Sequence, residues 1–195
     1  MVLRLVAITG MPMPINALRA QLPAYAKDIA ANLGVLAEET LLSDQAKWGC
    51  FIASASAVGE PETLKAVTIA AREAGLSPEA FTAARTAAAI MAMTNVYFRA
   101  THLMSAPDYQ DLPSRLRMNR LAHPGVDPAD YELWCVAVSA INGCGACLDS
   151  HEAALRRRGV SPVQVQAALR IAAVVNAVAR TLAVETLDHP QFSGL

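Results

Sequence analysis

The chain has 195 residues, which is long enough to bury a sizeable core within one domain. Its composition is 54% hydrophobic but only 5% aromatic, with alanine abundant, and this mixture favours closely packed helices over sheets. A formal net charge of −1 without an extended basic block gives no electrostatic footprint for nucleic acid.

The N-terminal stretch MVLRLVAITGMPMP holds a short apolar run that Pro12 and Pro14 interrupt, and it has no cleavage site typical of a secretory signal. The longest uncharged run, residues 133–148, is too short and too broken by Asn142 and two glycines to span a bilayer. We therefore expect a soluble, cytoplasmic protein that does not bind membranes. In that compartment, four cysteines indicate metal binding or redox chemistry rather than a secreted disulfide framework.

The first predicted helix covers Leu22 to Leu36, where apolar residues recur at helical spacing. Pro23 falls in its first turn, where proline is tolerated. No stretch of the chain shows the sustained alternation that is typical of strands. We therefore predict an all-α fold.

The chain contains an internal repeat. Residues 71–92 align without gaps with residues 155–176, a shift of 84 positions. The two copies carry Gly-Leu-Ser-Pro at 75–78 and Gly-Val-Ser-Pro at 159–162. In each copy the glycine is expected to close one helix, the serine to cap the next, and the proline to take its first position. The sequence thus predicts two related halves.

The two halves are predicted to share a scaffold but not its chemistry. At the same shift, the residues that carry chemistry in the second half fall on different residue types in the first: Glu132 on Trp48, Cys144 on Glu60, Cys147 on Thr63 and His151 on Val67. Residues 14–104 are therefore expected to be a non-catalytic half, and residues 127–195 the catalytic half. Residues 105–130, which hold four prolines, are predicted to connect them within a single domain of residues 1–195.

Two helices are predicted around the stretch INGCGACLDSH. The first starts at an Asp127 cap and runs to about residue 141, and the second runs from about Gly145 to Arg158. If they fold back antiparallel at 1.5 Å per residue, His151 comes within about a turn of the level of Glu132. The two side chains are then expected to approach each other, directly or through a water.

Within the second helix, Cys147 and His151 are four residues apart and share a face, so the imidazole can exchange a proton with the Cys147 sulfur. Cys144 and Cys147 are three residues apart and can close a disulfide across the first turn. A helix N-terminus also favours thiolate over thiol. This geometry favours thiol redox chemistry.

Spacing alone leaves two alternatives open. Cys144, Cys147 and His151 could supply three ligands to zinc, although no second CxxC or HxxxH occurs in the chain. The pair could also be structural or incidental. Among the other candidates, Cys50 and Cys135 lie in apolar, small-residue helices and are expected to be buried small hydrophobes.

Three histidines outside the motif are not expected to be catalytic. His123 and His189 each precede a proline in loop-like sequence and are predicted to lie on the surface. His102 stands near the end of the helix containing NVYFRATHLM, where a capping or packing role is expected.

A four-residue motif resembles the active-site signature of the alkyl hydroperoxide reductase AhpD family. It consists of Glu132, Cys144 after eleven intervening residues, Cys147 after two more, and His151 after three more. That family lies within the carboxymuconolactone decarboxylase-like superfamily. The resemblance extends along most of the chain, through LPAYAKDIAANL, LLSDQAKWGCFIASA, AAAIMAMTNVYFRA and ELWCVAVSAINGC. Residues 1–13 lie outside it and look like an extra leader.

The resemblance implies an all-helical homotrimer that acts as a lipoyl-dependent peroxidase with no bound cofactor. Dihydrolipoyl groups on the acyltransferase of a 2-oxo acid dehydrogenase would re-reduce the dithiol. The dithiol would then reduce an AhpC-type peroxiredoxin, or alkyl hydroperoxides directly. The alternatives on the same scaffold are a carboxymuconolactone decarboxylase-type enzyme and a zinc-binding module.

The resemblance also implies a role for each motif residue. Cys147 would be the peroxidatic cysteine that passes through a sulfenic acid, and Cys144 the resolving thiol and proton donor. His151 and Glu132 would form a proton relay. One position departs from the pattern, because Ala146 stands where some family members carry a histidine.

Overall fold

The computed structural model describes residues 14–187, and these residues form helices without any strand, so the all-α prediction is confirmed. Ten α-helices and one short 3-10 helix follow one another between residues 14 and 187. In order they are α1 Pro14–Ala20, the 3-10 helix Ala24–Ala26, α2 Lys27–Glu38, α3 Asp44–Val58, α4 Pro61–Glu73, α5 Pro78–Leu103, α6 Asp108–Asp111, α7 Asn119–Ala122, α8 Pro128–Ile141, α9 Gly145–Arg157 and α10 Pro162–Leu187.

The repeat found in the sequence is a repeat of three helices. Helices α8, α9 and α10 each begin 84 residues after α3, α4 and α5, respectively. The corners between them also recur. Gly75 and Gly159 both have left-handed backbones, with φ of +83° and +78°. The next serine is the cap in both copies, since Ser77 Oγ accepts from Ala80 N at 3.1 Å and Ser161 Oγ accepts from Gln164 N at 3.4 Å. The predicted glycine and serine roles are therefore observed.

The core lies between the longest helices of the two halves, because α3 and α8 pack against each other and both pack against α5 and α10. Its largest fully buried side chains include Phe51, Met91, Trp134 and Ile171. Small residues let the helix axes approach closely, as at Gly49, where the indole of Trp134 fills the space that a Cβ would need. The Trp134 indole N–H donates to the carbonyl of Ala46 at 3.1 Å. An alanine-rich helix surface thus packs around a few large side chains.

The predicted helix over Leu22 to Leu36 starts later than the spacing suggested. Pro23 has an extended ψ of 162°, a single 3-10 turn follows, and α2 begins only at Lys27. Tyr25, one of the apolar residues at helical spacing in this segment, is 72% exposed, whereas Leu33 and Leu36 are buried. The chain must reverse between α1 and α2, and the extended conformation at Pro23 is part of this turn.

The predicted connector is not wholly irregular, since it contains the short helices α6 and α7. It joins the end of α5 to the start of α8, where the Asp127 carboxylate accepts from Ala129 N at 2.7 Å. The cap and first position predicted for α8 are thus observed, with Pro128 as the first residue of the helix.

By length and composition alone, α10 is the one helix among residues 14–187 that could cross a membrane, with a mean hydropathy of 1.6 over its most apolar window. Its buried side chains recur every three or four residues and pack against α2, α3 and α8. That pattern is typical of a core helix.

Candidate active site

The corner between α8 and α9 places two sulfur atoms at the start of a helix. Gly143 takes a left-handed backbone with φ of +66°, and Cys144 N donates to the carbonyl of Ser139 at 3.1 Å, which closes α8. Cys144 is at the same time the N-cap of α9, where its Sγ accepts from Cys147 N at 3.3 Å. One residue therefore ends the turn and begins the next helix.

Cys144 and Cys147 are joined by a disulfide across this first turn, with their Cα atoms 5.3 Å apart. Their exposure differs. Cys144 is fully buried, whereas Cys147 retains 6% of its surface and lines a pocket. Cys147 is thus the residue of the pair that a molecule in the pocket meets, whereas Cys144 does not line the pocket.

The Nδ1 atom of His151 on α9 lies 2.6 Å from Oε2 of Glu132 on α8. Because a carboxylate only accepts, Nδ1 carries the hydrogen of this bond and Nε2 is left as the basic nitrogen. Both side chains are largely buried, at 13% and 19% exposure. The direct approach expected from the helix lengths is observed, and it holds the imidazole on the helix face that carries Cys147.

The pocket above Cys147 has a volume of about 230 Å³. It lies between α5, α9 and the connector, and its wall is mostly apolar. The lining residues are Met91, Thr94, Phe98 and His102 from α5, Met118 and Leu121 from the connector, and Ala146, Cys147, Ser150 and His151 from α9. The site can therefore hold a small organic molecule against one reactive sulfur and two imidazoles.

The repeat explains why this pocket is open. The pair α4 and α10, which corresponds to α9 and α5, is covered by α1 and α2. The residues there that correspond to Cys147, His151 and Phe98 are Thr63, Val67 and Leu182, and all three are buried. Among residues 14–187, the connector covers the equivalent surface of α9 and α5, and a cavity remains there.

The sequence did not predict that α5 lines the pocket. Residues 91, 94, 98 and 102 recur at helical spacing and therefore share one face of α5. This periodicity marks a common face but does not show that the face is opposite α9. The segment predicted as a connector also supplies Met118 and Leu121 to the site.

A polar network that extends from the core to the surface holds the α8–α9 corner against α5. Asn95 Nδ2 donates to Ser139 Oγ at 3.1 Å, and Asn142 Nδ2 donates to Asn95 Oδ1 at 3.0 Å. The Arg99 guanidinium also donates to the carbonyl of Asn142. These bonds fix both sides of the turn that carries Cys144, although no short sequence motif points to them.

The remaining candidates lie away from the disulfide or outside the described residues. Cys50 and Cys135 are free and fully buried, as predicted, and burial raises the pKa of both thiols. His123 is exposed, as predicted. His189 falls outside the described residues. His102 has the expected hydrogen bond near the helix end, from Nδ1 to the Phe98 carbonyl, but it also lines the pocket.

The part of the chain that the structure describes contains no group of three His, Cys, Asp or Glu side chains arranged to hold a metal ion. Cys144 and Cys147 direct their sulfur atoms to each other.

Known proteins with similar sequences cover nearly the whole chain. An alkyl hydroperoxide reductase AhpD of Caulobacter vibrioides is 66% identical over 179 residues, which are 92% of this chain and 98% of that protein. An alkyl hydroperoxide reductase AhpD of Maricaulis maris is 60% identical over 89% of this chain and 100% of its own length.

The chain belongs to the AhpD family. A more distant AhpD from Streptomyces avermitilis is still 49% identical over 90% of this chain and 98% of its own length. In addition, a family model described as the carboxymuconolactone decarboxylase family matches residues 107–187. That match covers α8 and α9, and so it includes the disulfide and the His151–Glu132 pair. The resemblance found in the sequence is therefore confirmed.

Proposed function

We propose that this member of the AhpD family is an antioxidant, thiol-dependent alkyl hydroperoxide reductase in the cytoplasm. The observation that carries the proposal is the Cys144–Cys147 disulfide at the N-terminus of α9, of which only Cys147 lines the pocket beside His151. The name alkyl hydroperoxide reductase of the relatives supports the same activity.

In the first step, His151 takes the proton of the reduced Cys147 thiol through Nε2, while Glu132 holds the hydrogen on Nδ1. The Cys147 thiolate attacks the distal oxygen of the hydroperoxide. A sulfur–oxygen bond forms as the oxygen–oxygen bond breaks, which leaves a sulfenic acid on Cys147 and an alkoxide that is protonated to the alcohol. The sulfur loses two electrons, and the peroxide gains them.

In the second step, the Cys144 thiol attacks the sulfenic sulfur of Cys147 and releases water. The product is the disulfide observed at the start of α9. Dihydrolipoyl thiols then reopen it by exchange through a mixed disulfide, and they leave as the cyclic lipoyl disulfide. Cys147 is the sulfur that such a reductant meets, because Cys144 is fully buried.

The partners follow from this cycle. We propose a lipoylated acyltransferase of a 2-oxo acid dehydrogenase as the electron donor. The acceptors are alkyl hydroperoxides and an AhpC-type peroxiredoxin, whose disulfide the reduced pair would open. We also propose that the protein assembles as a homotrimer, that residues 14–104 and 127–195 are its non-catalytic and catalytic halves, and that it needs no bound cofactor.

The test is multiple-turnover reduction of cumene hydroperoxide with dihydrolipoamide as the electron donor, with and without AhpC. Wild type should consume peroxide in proportion to the dihydrolipoamide supplied, and AhpC should increase the rate. The variant Cys147→Ser is the matched control and should do neither. An inactive wild-type protein under both conditions contradicts the proposal.

The description of the matching family model supports a second candidate, a decarboxylase-type enzyme on the same scaffold. Such a reaction does not use a dithiol. It would therefore persist in Cys144→Ser and Cys147→Ser, whereas the peroxidase reaction would not. A zinc-binding module would instead contain stoichiometric metal after purification, and its thiol count would not fall on peroxide treatment.

A further inference from the structure

We propose that His102 is a second acid–base residue of the pocket and donates the proton that the leaving alkoxide needs. This inference rests on the proposed peroxidase function. It assigns to α5 a part of the chemistry that the sequence motif places entirely on α8 and α9.

Among the described residues that line the pocket, Cys147 is the only one with a sulfur that forms a thiol on reduction, and His151 and His102 are the only ones with an imidazole. The other lining side chains are apolar or carry a hydroxyl, and none is a carboxylate. His102 comes from the last turn of α5, whereas the other two come from α9. A peroxide in this pocket is thus bordered by imidazoles from two different helices.

The hydrogen bond of His102 decides which of its nitrogens exchanges a proton. Nδ1 lies 2.8 Å from the carbonyl oxygen of Phe98. Since a carbonyl only accepts, Nδ1 carries a hydrogen in both charge states, and Nε2 is the atom that gains or loses a proton. His102 is also exposed, so water can return the proton after each reaction.

The other residues that could donate a proton to the leaving alkoxide are less well placed. Cys144 is fully buried and does not line the pocket, so its thiol does not meet an alkoxide formed there. The Nδ1 atom of His151 is paired with the Glu132 carboxylate at 2.6 Å, and this negative partner stabilises the imidazolium that forms when Nε2 takes the proton of Cys147. His102 Nδ1 has neutral partners instead, the Phe98 carbonyl at 2.8 Å and the Thr101 hydroxyl at 3.4 Å.

The residue before Cys147 is consistent with a division of the two proton transfers between His151 and His102. Ala146 lines the pocket with only a methyl group, so this position of α9 supplies no imidazole to the pocket. In this step the Cys147 thiolate, the hydroperoxide and the His102 imidazolium react. The products are the Cys147 sulfenic acid, the alcohol and neutral His102. One imidazole removes the thiol proton, and the other protonates the leaving oxygen.

The test compares two peroxides that differ in their leaving group. Cumene hydroperoxide releases an alkoxide, which needs a proton, whereas peracetic acid releases acetate, which does not. Oxidation of pre-reduced Cys147 is followed in a single turnover by stopped flow with wild type, His102→Gln and His102→Phe. The glutamine amide can still donate to the Phe98 carbonyl, so His102→Gln separates proton transfer from helix capping. His123→Phe is the control, because His123 is an exposed histidine outside the pocket.

Loss of a general acid should slow the reaction with cumene hydroperoxide roughly 10²-fold in both variants. The reaction with peracetic acid should change by less than about threefold, and His123→Phe should match wild type with both peroxides. A variant that slows both peroxides equally, or neither, overturns the role of His102. If wild type itself does not react with cumene hydroperoxide, the proposed function has failed instead.

Discussion

Glu60 and Cys144 occupy the same position in the two halves of the fold, 84 residues apart, and each is the N-cap of the helix that follows. The Glu60 carboxylate accepts from Glu62 N at 3.0 Å and from Thr63 N at 2.7 Å. Cys144 Sγ accepts from Cys147 N at 3.3 Å. The same backbone corner thus holds a carboxyl group in one half and a disulfide sulfur in the other. Free N–H groups at a helix start stabilise negative charge, so this corner suits a thiolate.

Glu60→Ala should destabilise the fold without affecting the reaction. The change leaves the N–H groups of the first turn of α4 without their carboxylate, and we expect a loss of about 1–2 kcal/mol in the free energy of unfolding. Urea denaturation measures it. Glu62→Ala is the control, because Glu62 is an exposed neighbour with only a long contact of 3.8 Å to Lys65. Equal losses in the two variants would contradict the capping role.

Replacing either cysteine of the pair should abolish multiple turnover, because a single thiol cannot complete the disulfide exchange. Cys147→Ser should not react with peroxide at all, whereas Cys144→Ser should stop as a sulfenic acid on Cys147 that dimedone traps. Mass spectrometry of the labelled protein measures this difference. Cys50→Ala, which changes a buried thiol outside the pocket, should retain turnover. Full multiple turnover by Cys144→Ser with dihydrolipoamide would refute the dithiol cycle.

His151→Phe should slow the oxidation of Cys147 on the order of 10²-fold, because it removes the base within one helical turn of the sulfur. Glu132→Gln keeps an acceptor for Nδ1 but replaces a charged partner with a neutral one, and we expect a loss of about fivefold to tenfold. The single-turnover rate with excess peroxide is the measurement. If the double variant is no slower than His151→Phe alone, Glu132 acts through the imidazole. An unchanged rate in His151→Phe would remove this residue from the mechanism.

Gly49→Ala should destabilise the core, since a Cβ at this position overlaps the buried indole of Trp134. The ring is fully buried and hydrogen-bonded to Ala46, so it cannot move freely. We expect a net loss of about 2 kcal/mol, measured as a lower midpoint of thermal or urea unfolding. Gly34→Ala is the matched control, because its Cβ meets only the flexible end of the Arg19 side chain. A stability loss in Gly34→Ala as large as that in Gly49→Ala would contradict this packing argument.

The sequence by itself determined the helix corners and the dithiol. Capping by Asp127 and Ser77, the left-handed glycines and the three-residue spacing of Cys144 and Cys147 depend on neighbours within one or two turns. For that reason the starts of α8 and α5 and the disulfide across the first turn of α9 could be predicted. The approach of His151 to Glu132 was also predictable, because a tight corner and a fixed rise per residue set the level that each reaches. Even here, local spacing was misleading at Pro23, where the need to reverse the chain delayed the start of α2.

Only the tertiary structure decided which sulfur is open to the pocket and which side chains stand around it. The wall formed by Phe98 and His102 on α5 and by Met118 on the connector is built from segments that are separated from Cys147 by 29 residues or more. Alanine-rich helices have several similar apolar faces, so their periodicity does not say which face packs against which helix. Among residues 14–187, α1 and α2 cover the surface of α4 and α10, whereas the connector covers the corresponding surface of α9 and α5 incompletely. The cavity remains for that reason, and such a difference arises only when the helices have packed.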